Sequence, residues 1–269
     1  MKIGLIAGSG QFPIIFSKAA KLKGYSVFTA AYINEADSEL EEHVESIKWI
    51  HLGQLNRLIK FFKANKVTRA VIIGAIKKTR MFLDVRPDIK AVSLIARLRH
   101  THDDTILTAF AGLLEKEGIQ ILPSTFLLPD LLAKEGCWTK SKPTKAEKKD
   151  IELGWKLAKE IGRFDIGQCV VVGGGSVLAV EAVDGTDATI KRGGNLGNGS
   201  AVVVKVCKPD QDTRFDVPAI GADTILNMHE VKARVLVIEA GKTLVFDREE
   251  MISLADKYKI AIVAIKKGD

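Results

Sequence analysis

Cysteine is scarce in this sequence: Cys137, Cys169 and Cys207 are the three among 269 residues, and they lie far apart. They fit neither CxxC nor any Cys/His metal spacing and are odd in number. That excludes a disulfide scaffold and a zinc ribbon, and reads as reduced thiols in a cytosolic protein. Aromatic residues make up 6% of the chain and are not interleaved with its basic clusters, which excludes the stacking platforms of single-strand nucleic-acid binders. Apolar runs are short. No stretch approaches the roughly 18 uninterrupted apolar residues of a spanning helix. The opening MKIGLIAGSG carries one basic residue and an apolar run closed by a glycine turn, as a first strand does and a signal peptide does not. Acidic residues are outnumbered, 33 against 40 Lys and Arg, for a net charge of +7. Such a balance favours an acidic partner: nucleic acid, anionic lipid or a phosphorylated substrate. The excess is dispersed over Lys77, Lys78 and Arg80, over Arg97, Arg99 and His100, and from Lys140 to Lys149. A nucleic-acid binder would concentrate it.

What is present is an ordinary globular composition, 46% hydrophobic and 27% charged, in a chain long enough for two domains. KIGLIA (2–7) and SVFTAA (26–31) read as buried strands on either side of a helix begun at Pro13, a favoured first helical position. Helices near 54–64, 89–98 and 103–117 and strands at 70–73 and 120–122 continue the alternation. This predicts a parallel sheet covered on both faces, a Rossmann-like arrangement. Pro123, Pro129, Pro143 and the run KSKPTKAEKK then interrupt the pattern and read as a solvated connector. The fold class is therefore α/β with two α/β domains: an N-terminal Rossmann-like domain over 1–132, a connector over 133–149 and a C-terminal catalytic domain over 150–269. In the second domain, helices are expected at 147–161, 187–192, from 222 and at 248–258. Strands are expected at 169–172, 177–182, 201–206, 235–238, 243–246 and 260–265. LLPDLL (127–132) reads as a helix serving as the lip of an apolar groove or as core.

Gly8-Ser9-Gly10 joins a strand to a helix, where backbone N–H groups can meet a phosphate. A plain tight turn competes with that reading, and Pro13 stands where a dinucleotide fingerprint needs its third glycine. Gly74 ends the strand AVIIG and Lys77 follows, which places cations outside the carboxyl edge of the sheet, where ligands of open α/β sheets bind. Asp103 and Asp104 stand at a helix start, where capping is the simpler role. Two acidic loops follow in the second half. One carries Glu181, Asp184, Thr186 and Asp187, with Thr186 or Asp187 as cap of the next helix. The other carries Lys208, Asp210, Asp212, Arg214, Asp216 and Asp223. Carboxylates clustered on loops without histidine suit Mg²⁺, which binds through one or two carboxylates plus substrate phosphates.

Taken together, GLIAGSGQFP, VIIGAIKK, HDDTIL, SVLAVEAVDGTDATIKR, VVVKVCKPDQDTRFDVPAIG and EAGKTLVFDREEMISLADKYKIAIVAI resemble the LpxI-type UDP-2,3-diacylglucosamine pyrophosphatases nearly end to end. The resemblance implies hydrolysis of UDP-2,3-diacylglucosamine to UMP and 2,3-diacylglucosamine 1-phosphate in lipid A synthesis, with a divalent cation, Mg²⁺ or Mn²⁺, and with the product held between two domains. It makes Asp216 a catalytic or metal-binding carboxylate. With the loops above, catalysis is expected of Asp216, Asp187 and Asp184, and metal ligation of Asp216, Asp184, Asp187 and Asp212. Substrate contacts are expected of Gly8, Ser9, Gly10, Gly74, Lys77, Asp103, Asp104, Thr186, Lys208 and Arg214. The partners implied are a lipid-linked UDP-sugar and, transiently, the cytoplasmic face of the inner membrane, with no nucleic acid; a homo-oligomer stays open. A nucleotide-sugar or dinucleotide binding module without hydrolysis is the alternative.

Overall fold

The structure is a computed structural model that describes residues 1–76, 85–96, 103–209, 211–215 and 217–266, with residues 103–105 described by their backbone alone. The chain forms two compact units, Met1–Pro129 with Asp212–Asp216, and Asp130–Gln211 with Val217–Asp269.

The first unit contains β1 (Lys2–Ala7), α1 (Phe12–Leu22), β2 (Ser26–Tyr32), β3 (Ser46–Ile50), α2 (Leu55–Ala64), β4 (Arg69–Ile73), α3 (Ile89–Ile95), α4 (Asp103–Lys116) and β5 (Gln120–Ile121). All its strand pairs are parallel, in the order β3-β2-β1-β4-β5. β1 and β2 are buried along nearly their whole length, as expected of strands covered on both faces. α2 buries Leu55, Leu58, Ile59 and Phe62, the 3.6-residue stripe of an amphipathic helix, against Ile6, Phe28 and Ala70 of the sheet. Each such side chain contributes roughly 1.5–3 kcal/mol when fully buried. β3 (SIKWI) was not expected from the sequence. LLPDLL is not a helix: Pro129–Leu131 forms one 3-10 turn, and Leu127 and Leu128 are buried.

The second unit contains β6 (Gly136–Cys137), α5 (Lys145–Arg163), β7 (Cys169–Gly173), β8 (Ser176–Val180), α6 (Gly185–Gly197), β9 (Val202–Lys205), β10 (Ala219–Ile220), α7 (Ala222–Glu230), β11 (Val235–Glu239), β12 (Leu244–Val245), α8 (Arg248–Lys257) and β13 (Ala261–Ile265). Its main sheet runs β6-β13-β11-β9-β7-β8, and β10 pairs with β12 in a second, small sheet. β9, β11 and β13 are parallel, whereas β7 runs antiparallel to β8 and β9, and β6 to β13. Alternate residues of these strands face opposite ways. Val170, Val172, Val202, Val204, Val235 and Val237 meet Ile151, Trp155 and Ala158 of α5. Val171, Val203, Leu236 and Ile238 meet Ile190, Ile225 and Met251 of α6, α7 and α8. Residues 133–149 lie inside this unit. Gly136 and Cys137 extend the sheet, and a reciprocal capping box between Thr144 and Glu147 starts α5 at Lys145. The N-cap of α6 is Asp184, so Thr186 and Asp187 lie within its first turn and do not cap it.

Candidate functional site

In the first unit the strand order reverses between β1 and β4, which places a crevice at their carboxyl ends. Gly8, Ser9 and Gly74 meet there. Ser9 donates from its N–H to the Ala75 carbonyl at 2.8 Å and from its hydroxyl to the same oxygen at 2.7 Å, while Ala75 N–H returns to Ser9 O at 3.2 Å. A Cβ on Gly8 would lie 2.5 Å from Ala75 O, and one on Gly74, where φ is +98°, would lie 2.6 Å from the Gly8 carbonyl carbon. Backbone stands against backbone, so no side chain can yield, and each turn requires the other's glycine. Gly10, at φ +93°, has open space around it, and α1 begins beside it with no side-chain cap. This turn is therefore the part of the crevice that backbone–backbone contact does not fill. Lys77 lies outside the described residues, as do the side chains of Asp103 and Asp104.

Asp212–Asp216 also belongs to the first unit. Arg214 grips Asp212 through Nε at 3.0 Å and Nη2 at 2.7 Å, reaches Glu115 at 3.1 Å and lies 5.0 Å over the Phe215 ring, which packs on the core of this unit. Thr213 O accepts from Ser124 N–H at 3.3 Å. The guanidinium holds the Asp212 carboxyl below the usual range, and the hydrogen bond that Arg214 donates to Asp212 raises Arg214 above its own. Both Asp212 oxygens are thus committed to a cation. Asp210 and Asp216 lie outside the described residues.

In the second unit a polar row crosses the main sheet at the carboxyl end of β9. Lys205 pairs with Cys169 on one side and with Ile238 on the other, and Glu181 N–H donates to Cys169 O at 2.9 Å. Glu181 is buried; it accepts from Thr186 Oγ1 at 2.8 Å and from Gln168 N–H at 3.0 Å. Asp184 accepts from Ala182 N–H at 3.1 Å and pairs with Arg192 at 2.7 Å. Asp187 is exposed on the first turn of α6 and forms no hydrogen bond or ion pair among the described residues. Burial pushes the Cys169 thiol up to about 12, with the charges of Glu181 and Asp187 adding and that of Lys205 opposing. Lys208 pairs with Asp165 at 2.5 Å. A second buried network sits beside the row. Glu239, at the end of β11, takes Lys159 Nζ at 2.8 and 2.9 Å, Lys242 Nζ at 3.2 Å and Cys207 N–H at 2.9 Å, and Lys159 also donates to Cys207 O at 2.9 Å.

Thr186, Asp184 and Asp187 stand out in the sequence, whereas Glu181's burial, Lys205, Lys159 and Glu239 do not. Lysine or glutamate at the end of an apolar strand looks like a solvated terminus until the covering loop is known. As metal donors the described carboxylates differ. Asp212 spends both oxygens on Arg214 and Asp184 spends one on Arg192 and the other on Ala182 N–H, whereas Asp187 keeps both among the described residues. Among the described residues no three His, Cys, Asp or Glu side chains gather as a ready-made cation cage. A Mg²⁺ ion that takes one or two carboxylates and completes its shell with phosphates and water needs fewer, and Asp187 fits that role.

Residues 2–131 match the family model of the LpxI N-terminal domain, and residues 134–263 that of the LpxI C-terminal domain. The chain belongs to the LpxI family. A curated LpxI relative is the UDP-2,3-diacylglucosamine pyrophosphatase LpxI of Caulobacter vibrioides, 30% identical over 275 aligned residues that cover 98% of this chain and 97% of the relative. Among solved structures, the chain shows 11% identity to phosphoribosylglycinamide synthetase from Anaerococcus prevotii, with a TM-score of 0.28 over 68% of this chain and 39% of that one. It shows 12% identity to N5-carboxyaminoimidazole ribonucleotide synthetase from Thermotoga maritima, with a TM-score of 0.25 over 68% and 41%. The chain spans about two fifths of those two proteins, and a likeness this slight bears on neither fold nor function. The LpxI relative, in contrast, is matched over nearly its whole length.

Proposed function

We propose that this LpxI chain hydrolyses the pyrophosphate of UDP-2,3-diacylglucosamine, releasing UMP and 2,3-diacylglucosamine 1-phosphate for lipid A synthesis, and that it does so with a divalent cation. The observation that carries the reading is the near end-to-end match to the Caulobacter vibrioides pyrophosphatase. The chemistry of the chain supports it. Phosphoanhydride hydrolysis needs charge neutralisation on phosphoryl oxygens and an oriented water more than a covalent nucleophile, and this chain supplies cations, carboxylates and helix starts at the carboxyl ends of strands. Bound Mg²⁺ or Mn²⁺ would supply Lewis-acid charge. Asp187 supplies an uncommitted carboxylate, Glu181 holds the Thr186 hydroxyl in place, and Asp216 is assigned by the family resemblance as the catalytic or metal-binding group. Gly8–Gly10 and the uncapped start of α1 suit phosphate contact. We further propose transient attachment to an anionic membrane surface, because the substrate carries two acyl chains and among the described residues no helix is long and apolar enough to cross a membrane.

The test is UMP release from UDP-2,3-diacylglucosamine. Wild type is expected to turn over with Mg²⁺ or Mn²⁺ and to stop in excess EDTA, and Asp216→Ala to keep its fold and lose turnover. Undiminished release in EDTA removes the metal from the reading, and no release under any cation removes the activity.

A further inference from the structure

We infer that Lys205 is the cation that takes a phosphoryl oxygen of the substrate's pyrophosphate; this rests on the pyrophosphatase reading above. Lys205 ends β9, one of the two middle strands of the second unit's six-stranded sheet, with 9% of its surface exposed. A buried ammonium is costly unless it is both paired and hydrogen-bonded. Lys205 donates to one neutral acceptor, the Ala219 carbonyl at 2.9 Å, and makes no ion pair among the described residues. An ammonium has three donors and no acceptor, so this contact uses one. The buried carboxylates near it are engaged elsewhere: Glu181 with Thr186 and Gln168, Glu239 with Lys159, Lys242 and Cys207. Glu181 stands two strands away across Cys169, about 10 Å at ordinary strand spacing.

The surroundings favour an anion rather than another cation. Ala219 lies three residues before α7, whose N-cap Gly221 offers no side chain, so the partial positive charge of that helix start is near Lys205. A cation beside a helix start, with no counter-ion among the described residues, is doubly unfavourable until a negative group arrives. Position also fits: Lys205 is at the carboxyl end of parallel strands, where α/β sheets bind ligands, in the same cross-sheet row as Glu181, which holds the Thr186 hydroxyl, and within electrostatic reach of the Cys169 thiol on which Asp187 also acts. Anchoring Ala219 alone needs no charge, since any neutral donor could do it.

The test compares Lys205→Met, Lys205→Gln and Lys205→Arg in the full chain by three readouts: UMP release, calorimetric titration with inorganic pyrophosphate, and thermal unfolding. Lys205→Met and Lys205→Gln are expected to lose about 100-fold in kcat/KM and to bind pyrophosphate about tenfold more weakly, with unfolding temperatures close to wild type. Lys205→Arg, which restores the charge, recovers part of both losses. Near wild-type turnover and pyrophosphate affinity in Lys205→Met overturns the inference. So does a purely structural pattern, in which Lys205→Gln matches wild type and Lys205→Met melts early. If Lys205→Met does not fold, Lys205→Gln against Lys205→Arg decides alone. Should wild type bind pyrophosphate through Lys205 yet release no UMP, the activity fails and the Lys205 contact stands; should every variant release UMP normally, the contact fails and the activity stands.

Discussion

Glu117 accepts hydrogen bonds from two lysines, Lys63 near the end of α2 and Lys90 at the start of α3. These hydrogen bonds lower its carboxyl from 4.5 to about 2. A folded-state pKa below the unfolded one means that the carboxylate stabilises the fold above the unfolded value, and that this contribution fades as pH falls through the folded value. The unfolding-temperature gap between wild type and Glu117→Gln is therefore expected to be constant above about pH 5 and to close between pH 4.5 and about 2. A gap that is the same at pH 7 and pH 2.5 would show that the lysines do not hold the carboxylate. Side chains of this kind mark what the sequence could and could not disclose. Thr186 and Asp187 were visible because they stand in a glycine-bounded acidic loop. Glu117, Lys205 and Glu239 were not, because a charged residue next to an apolar strand or helix end looks alike whether it faces water or a partner distant in sequence.

At the scale of elements, Lys159 and Glu239 tie the C-terminal part of α5 to the end of β11, and both bind the backbone of Cys207, just after the end of β9. The pair is buried, with side-chain exposures of 15% and 2%. Removing one member of a buried pair typically costs about 3–5 kcal/mol, whereas replacing both with apolar groups is often neutral. Glu239→Ala is thus expected to lower the unfolding free energy by about that amount, and Lys159→Met with Glu239→Leu to recover most of it; calorimetric or denaturant melts of the three proteins check both. A double variant as unstable as the single one would mean that the Cys207 N–H bond, not the ion pair, supplies the stability. Long elements were legible from the sequence because their period is: α2 and β1 follow one apolar stripe and one continuous apolar run. Short ones were not. β3 mixes Ser, Lys and Trp with two isoleucines, and β6 and β10 are two residues each, too short to show a period. LLPDLL failed as a helix because apolar content without space for a full turn before Pro129 is satisfied by burying Leu127 and Leu128 in place.

The molecule as a whole carries a net charge of +7, and part of it is gathered on exposed side chains: Lys140, Lys142, Lys145, Lys148 and Lys149, at and before the start of α5, all face solvent. A basic residue near an anionic bilayer is worth on the order of 1 kcal/mol and acts only within a Debye length of the surface. Such a run can hold a protein reversibly where the proposed two-chain lipid substrate resides, without any segment entering the hydrocarbon. A solvated helix start would carry the same lysines and bind nothing, so salt dependence separates the two. Sedimentation with vesicles rich in anionic phospholipid at low ionic strength is expected to bring the protein down. Repeating it at about 0.5 M salt, where screening shrinks to a few Å, is expected to release it, and Lys→Gln at the five positions is expected to abolish the low-salt binding. Equal partitioning at both salt concentrations, or no binding at either, would refute electrostatic attachment and leave capture of the lipid to the substrate site alone.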